Sequence, residues 1–69
     1  MTKEELKGIL NEQSSELTED DYLDIAKASR RSIWTVRRYF LEGAIGNVTD
    51  AEFFRKEAQE IIAAKNTPA

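Results

Sequence analysis

Apolar residues along this chain recur at helical spacing, and no segment alternates in the manner of a strand. Leu6, Ile9 and Leu10 form a first stripe and predict a helix over roughly residues 3 to 13, weakened by Gly8, which costs about 1 kcal/mol against alanine in a helix interior. Tyr22, Ile25, Ala26 and Ser29 form a second stripe in a helix starting at Glu19. Ile33, Val36, Tyr39 and Phe40 form a third that runs to about Glu42, with Gly43 as its stop because glycine accepts the left-handed conformation after a helix. Ala51, Phe54, Ala58, Ile61 and Ile62 share one side of a last helix near 50 to 65. The expected fold is all-α: a small bundle of about four helices in one domain over 1–65, with the end of "KNTPA", residues 66–69, as a disordered tail.

Three helix starts carry the same signature. In "MTKEEL", "LTEDDY" and "VTDAEF" a threonine precedes an acid by three residues: Thr2 with Glu5, Thr18 with Asp21, Thr49 with Glu52. Each hydroxyl is placed to accept from an orphan backbone N–H, and each acid to reach back to the cap. Met1 with Leu6, Leu17 with Tyr22 and Val48 with Phe53 are the matching hydrophobic staples. Asp21 is shorter than the glutamate of the ideal box, which makes the second start the weakest.

The segment between the second and third stripes admits two readings. Tyr22, Ile25, Ser29, Ile33, Val36 and Phe40 are spaced 3, 4, 4, 3 and 4 apart, as on one long helix over 19–42 with its arginines on a solvated face. That helix would make the protein a helical protein-interaction module. Alternatively the chain breaks near "SRRS", with Ser32 capping a new helix. At about 100° per residue, Ile33, Val36, Tyr39 and Phe40 then face the core, Trp34, Arg38 and Leu41 point away from it, and Arg37 flanks the outer face.

The serines of "SRRS" favour the second reading, and the distribution of charge bears on what such a helix would do. The chain has a net charge of −3, but residues 1–21 carry two lysines and seven carboxylates, whereas residues 22–43 carry five cations and two carboxylates. "ASRRSIWTVRRYF" holds four of those cations, Arg30, Arg31, Arg37 and Arg38, around Trp34. Such asymmetry marks a polyanion-binding face, or else internal complementarity between the acidic first helix and the basic middle. A short helix with Arg37 and Arg38 outward, and Arg30 and Arg31 in the turn at its N-terminus, has the electrostatics of a groove-reading helix.

The stretch "DIAKASRRSIWTVRRYF" resembles the helix-turn-helix of the lac repressor family of bacterial DNA-binding proteins. The family's pattern of an apolar-Ala pair, a turn, Ser, two variable residues, Thr-Val, one variable residue and Arg is matched by Ile25-Ala26, Ser32, Thr35-Val36 and Arg38. The similarity extends loosely through "GNVTDAEFFRKEAQEIIAA", so that it covers Tyr22 to Ala64. The resemblance implies that Ser32 and Thr35 touch phosphates, that Ile33, Trp34 and Arg38 read base edges, and that Ile25, Ala26 and Val36 form the contact between the two helices. Arg30 stands where the family usually has a glycine, and Arg31 where it has an apolar residue.

Single residues carry competing roles. Trp34 is placed to stack on a base or sugar, to sit beside a thymine methyl, or to anchor a dimer with Leu41, although a lone tryptophan in a small chain is more often core. Arg37 and Arg38 suit guanine or phosphate, which guanidinium pairs bidentately. Glu19, Asp20 and Asp21 are first-turn acids favoured by the helix dipole.

Enzyme chemistry has little to work with, because the chain lacks cysteine, histidine and a glycine-rich phosphate loop. No cofactor, metal, membrane or small-molecule effector is expected, and the default location is the cytoplasm. The expected function is that of a small stand-alone bacterial or phage regulator, or a mobile-element accessory factor, that inserts the helix of about 33–42 into the major groove of double-stranded DNA, with a homodimer expected at least on DNA. Its expected DNA-binding residues are Arg30, Arg31, Ser32, Ile33, Trp34, Thr35, Arg37 and Arg38.

Overall fold

The computed structural model describes residues 2–66; the Met1 staple and the tail residues 67–69 lie outside that range. All its regular structure is helical: α1 (Lys3–Ser14), α2 (Glu19–Ser29), α3 (Ile33–Arg37), a π-helical continuation over Arg38–Glu42, and α4 (Val48–Asn66). No strand occurs among the described residues.

The first two starts form as the sequence predicts. Thr2 Oγ1 accepts from the Glu5 N–H at 3.2 Å while Glu5 Oε1 accepts from the Thr2 N–H, also at 3.2 Å. In the second box Asp21 Oδ2 reaches back to the Thr18 N–H at 2.8 Å, so the shorter acid makes the shorter bond. The third start is different. Asn47 Oδ1, not Thr49, accepts from the N–H groups of Thr49 and Asp50, at 2.8 and 3.4 Å, and α4 begins at Val48. Asparagine is among the best N-cap residues, and "NVTD" offers it two positions before the predicted threonine. At the other end Lys65 and Asn66, expected in or beside the tail, continue the helix.

The long helix over 19–42 does not form, because α2 ends at Ser29 and Arg30 caps it in the left-handed conformation. The contact between Tyr22 and Phe40 gives the reason. Their rings lie 5.6 Å apart, whereas 18 residues of straight helix would hold them roughly 27 Å apart. Folding back at Arg30 also sets Phe40 6.4 Å from Phe54, while Tyr39 meets Phe54 edge-on at 4.9 Å. Such aromatic pairs contribute about 0.5–1.5 kcal/mol each beyond their burial.

The resulting core consists of Leu6 and Leu10 from α1, Tyr22, Ile25 and Ala26 from α2, Val36, Tyr39 and Phe40, and Ala51, Phe54 and Ala58 from α4. Ile62 is also buried, whereas Ile9, Ser29, Ile33 and Ile61 are half-buried at the margin. Gln13 is buried without having been expected there; its Nε2 donates to the Arg55 carbonyl of α4 at 3.1 Å. Lys65 ties the end of α4 to the start of α2, donating to the Glu16 carbonyl at 2.9 Å and pairing with Asp21.

Candidate nucleic-acid interface

The turn between α2 and α3 is built from two local devices. Arg30 adopts φ 59 and ψ 34, the left-handed region, and is the one non-glycine residue with positive φ among the described residues. Around it the Arg31 N–H donates to the Ala26 carbonyl at 3.1 Å and the Arg30 N–H to the Lys27 carbonyl at 3.4 Å, the pair of bonds that closes a Schellman motif. Ser32 then restarts the helix, its Oγ accepting from the Thr35 N–H at 3.2 Å. The turn therefore consists of Arg30, Arg31 and Ser32, and Ile33 is the first residue of α3.

The helix that follows has two parts. After Arg37 it widens, and the Gly43 N–H bonds five residues back to the Arg38 carbonyl, which also accepts from the Ala44 N–H at 3.3 Å. Gly43 ends it with φ 66, as its position in the sequence predicts. A side chain there would also collide with Lys7, whose Cε lies 2.6 Å from where a Cβ would stand, so α1 packs its lysine stem directly over the end of this helix. A helix thus spans 33–42 as expected, with its second half π-helical.

Val36, Tyr39 and Phe40 are buried, and Trp34, Arg38 and Leu41 are exposed, as the helical projection requires. Trp34 is 70% exposed, which removes it from the core where a lone tryptophan is more often found. Ile33, expected at a base edge, packs half-buried against the core. Thr35 is half-buried, and its hydroxyl lies 3.0 Å from that of Ser32. An open depression of about 420 Å³ beside this face is lined by Thr35, Arg38, Tyr39, Ala44, Ile45 and Gly46, with no carboxylate in its wall.

The four arginines divide into two kinds. Arg31 pairs with Asp50 of α4 at 3.3 Å, and Arg37 pairs with Glu19 of α2 at 3.4 Å while its guanidinium lies 5.6 Å from the centre of the Trp34 ring. Arg30 and Arg38 form no ion pair among the described residues. Sequence reasoning missed both carboxylate partners, since Glu19 and Asp50 are 18 and 19 positions from their arginines and no local spacing connects them. The internal complementarity that the sequence left open as an alternative is met in part, with carboxylates from α2 and α4 in place of α1.

Ionisation elsewhere is governed by caps and burial. Burial pushes the Asp21 carboxyl up, but the hydrogen bond from Lys65 and those from Thr18 outweigh it and hold the group below the ordinary aspartate value. Burial raises the Tyr22 phenol. No group of three or more metal-ligating side chains comes together among the described residues, and no helix there is long and apolar enough to cross a membrane.

Comparison with protein-family models, with curated proteins and with solved structures finds no match for this chain.

Proposed function

We propose that this chain is a sequence-specific double-stranded DNA-binding protein, a regulator or mobile-element accessory factor of bacterial or phage type acting in the cytoplasm, in which α2, the turn and the helix over 33–42 serve as a helix-turn-helix. One observation carries the reading. The left-handed Arg30 and the Ser32 cap fold two helices together over Ile25, Ala26 and Val36, and this leaves Trp34 and Arg38 on an outward face beside the cations of the turn. In this reading Arg30, Arg31 and Arg37 meet phosphates, Ser32 and Thr35 support them, and Arg38 pairs with guanine in the major groove, with Trp34 beside it. Ile33 contributes packing at the rim.

A single recognition helix makes few base contacts, and two half-sites on a symmetric dimer are the usual remedy. The protein therefore binds as a homodimer, at least on DNA, and sedimentation of the saturated complex gives two chains per site. One chain per site removes the dimer from the proposal.

The main test is selection of bound duplexes from a random pool, followed by affinity measurements across a salt series. Enrichment of a defined sequence, with affinity falling steeply as salt rises, is the expected result. Absence of enrichment together with salt-insensitive binding overturns the reading.

Trp34 supports a second reading, since it and Leu41, 70% and 49% exposed, share the outward face. A protein partner seated on those two side chains would make the segment an interaction module, without the continuous helix that reading first suggested. In that case Trp34→Ala abolishes self-association or partner binding, and the selection experiment enriches no sequence.

A further inference from the structure

The pairing of Arg31 with Asp50 and of Arg37 with Glu19 has a consequence for DNA of arbitrary sequence. Resting on the DNA-binding reading above, we infer that Asp50 and Glu19 are specificity-determining residues: they occupy Arg31 and Arg37, two of the three arginines assigned to phosphate, so that of those three only Arg30 is free to hold a random duplex.

The geometry is reciprocal. Asp50 offers both oxygens to Arg31 Nη2, each at 3.3 Å, from the first turn of α4. Glu19, from the first turn of α2, holds Arg37 Nη1 at 3.4 Å, and the Trp34 ring lies against the same guanidinium. Each carboxylate comes from an element other than the one that carries its arginine, so the masking is set by the tertiary fold. An arginine already neutralised by a carboxylate attracts no phosphate at long range. Any phosphate that approaches it also approaches the acid.

Each pair has one exposed partner, Arg31 or Glu19, and one half-buried partner, Asp50 or Arg37, and pairs this open to water are weak. They yield when the duplex is held in one fixed register. Base contacts by Arg38 supply that register on a selected site, where phosphates are brought within reach of Arg31 and Arg37 and replace the carboxylates. On random DNA the register wanders and the internal pairs persist. The acids therefore act selectively, reducing the electrostatic part of binding where no bases are read and leaving it intact where they are.

Counterion release makes this measurable, because each cation that newly engages phosphate steepens the dependence of log K on log salt by about 0.9. The unaltered chain and the variants Asp50→Asn, Glu19→Gln and their combination are titrated with a selected duplex and with a random duplex over a salt series. In the unaltered protein the selected duplex shows the steeper slope, by about 2 per chain. Each single substitution steepens the random-duplex slope by about 1, and the double variant brings it to the selected-duplex value, which itself does not change. Random-duplex affinity rises severalfold, so discrimination falls. Glu60→Gln, a neutralised acid on the exposed side of α4 outside these pairs, controls for net charge and leaves both slopes as they were.

An unchanged random-duplex slope in the double variant overturns the inference. So does weaker random binding, which would mean that the acids hold the arginines ready for phosphate, or an equal effect from Glu60→Gln. Thermal unfolding of each variant establishes that these comparisons are made on folded protein. If neither the unaltered protein nor any variant binds a duplex in a salt-dependent manner, the DNA-binding reading itself fails, an outcome distinct from unmasked slopes that do not move.

Discussion

The Arg31 N–H donates to the Ala26 carbonyl at 3.1 Å, bridging a residue, Arg30, that is held in the left-handed conformation. That bond closes α2 and fixes where the next helix starts. It carries a conformational cost, since a residue with a Cβ pays roughly 1–2 kcal/mol in this region that glycine does not. Arg30→Gly is expected to stabilise the fold by about 1 kcal/mol in denaturant unfolding, while weakening DNA binding and lowering the salt slope by about 1 per chain. Opposite signs in the two measurements mark Arg30 as a residue kept for its charge; unchanged DNA affinity would mark it as incidental.

Arg38 has no carboxylate partner among the described residues and stands between Trp34 and Leu41 on the outward face. Arg38→Ala is expected to cost about 1–3 kcal/mol on a selected site and to relax preference at one or two base pairs. Binding to the matched site and to single-position variants of it measures both effects. A uniform loss across all sequences would assign Arg38 to phosphate instead.

Ser32 caps α3, a helix of five residues, through its side chain. Ser32→Ala is expected to cost about 1 kcal/mol. Amide exchange should quicken at Thr35 first, whose N–H loses its acceptor, and then through the rest of that first turn. Ser32→Asp, which keeps an acceptor at the cap, is expected to restore most of the stability while weakening DNA binding by adding a negative charge beside the arginines.

Asp21 makes stability depend on acid. Its folded-state pKa is depressed below the ordinary value of 3.8, so its contribution is fully present above that value and is lost as the pH falls through the lower, folded-state pKa. Asp21→Asn keeps an acceptor for the Thr18 N–H but loses the charge that faces Lys65. The variant is expected to be less stable than the unaltered protein by about 1 kcal/mol at neutral pH. The gap should close as the carboxyl of the unaltered protein protonates. Urea unfolding at several pH values from neutral to below 3.8 follows it directly, and a gap that persists at the acid end would show that shape, not charge, gives Asp21 its role.

Much of the fold is legible in residue spacing because its determinants are local. The stripes of Leu6 and Leu10, of Tyr22, Ile25 and Ala26, and of Ala51, Phe54 and Ala58 bury the faces that a helical period assigns to them. Thr2, Thr18 and Ser32 cap because the acceptor and the N–H it serves lie three residues apart, a relation that sequence displays in full. Local signals also compete, and there the sequence alone leaves the outcome open. Asn47 and Thr49 both offer caps, and the asparagine takes α4.

The sequence by itself determined that the chain forms helices, which faces they bury, and that four arginines cluster about one tryptophan. It left 19–42 divided between one helix and two, because the stripe from Tyr22 to Phe40 fits both. Tertiary packing decided, since only a turn at Arg30 brings Phe40 within 5.6 Å of Tyr22 and 6.4 Å of Phe54. Packing also decided which charges are free. Asp50 and Glu19 reach Arg31 and Arg37 across element boundaries, and their distances follow from how α4 and α2 lie against the turn and α3, a relation that no periodicity along the chain encodes.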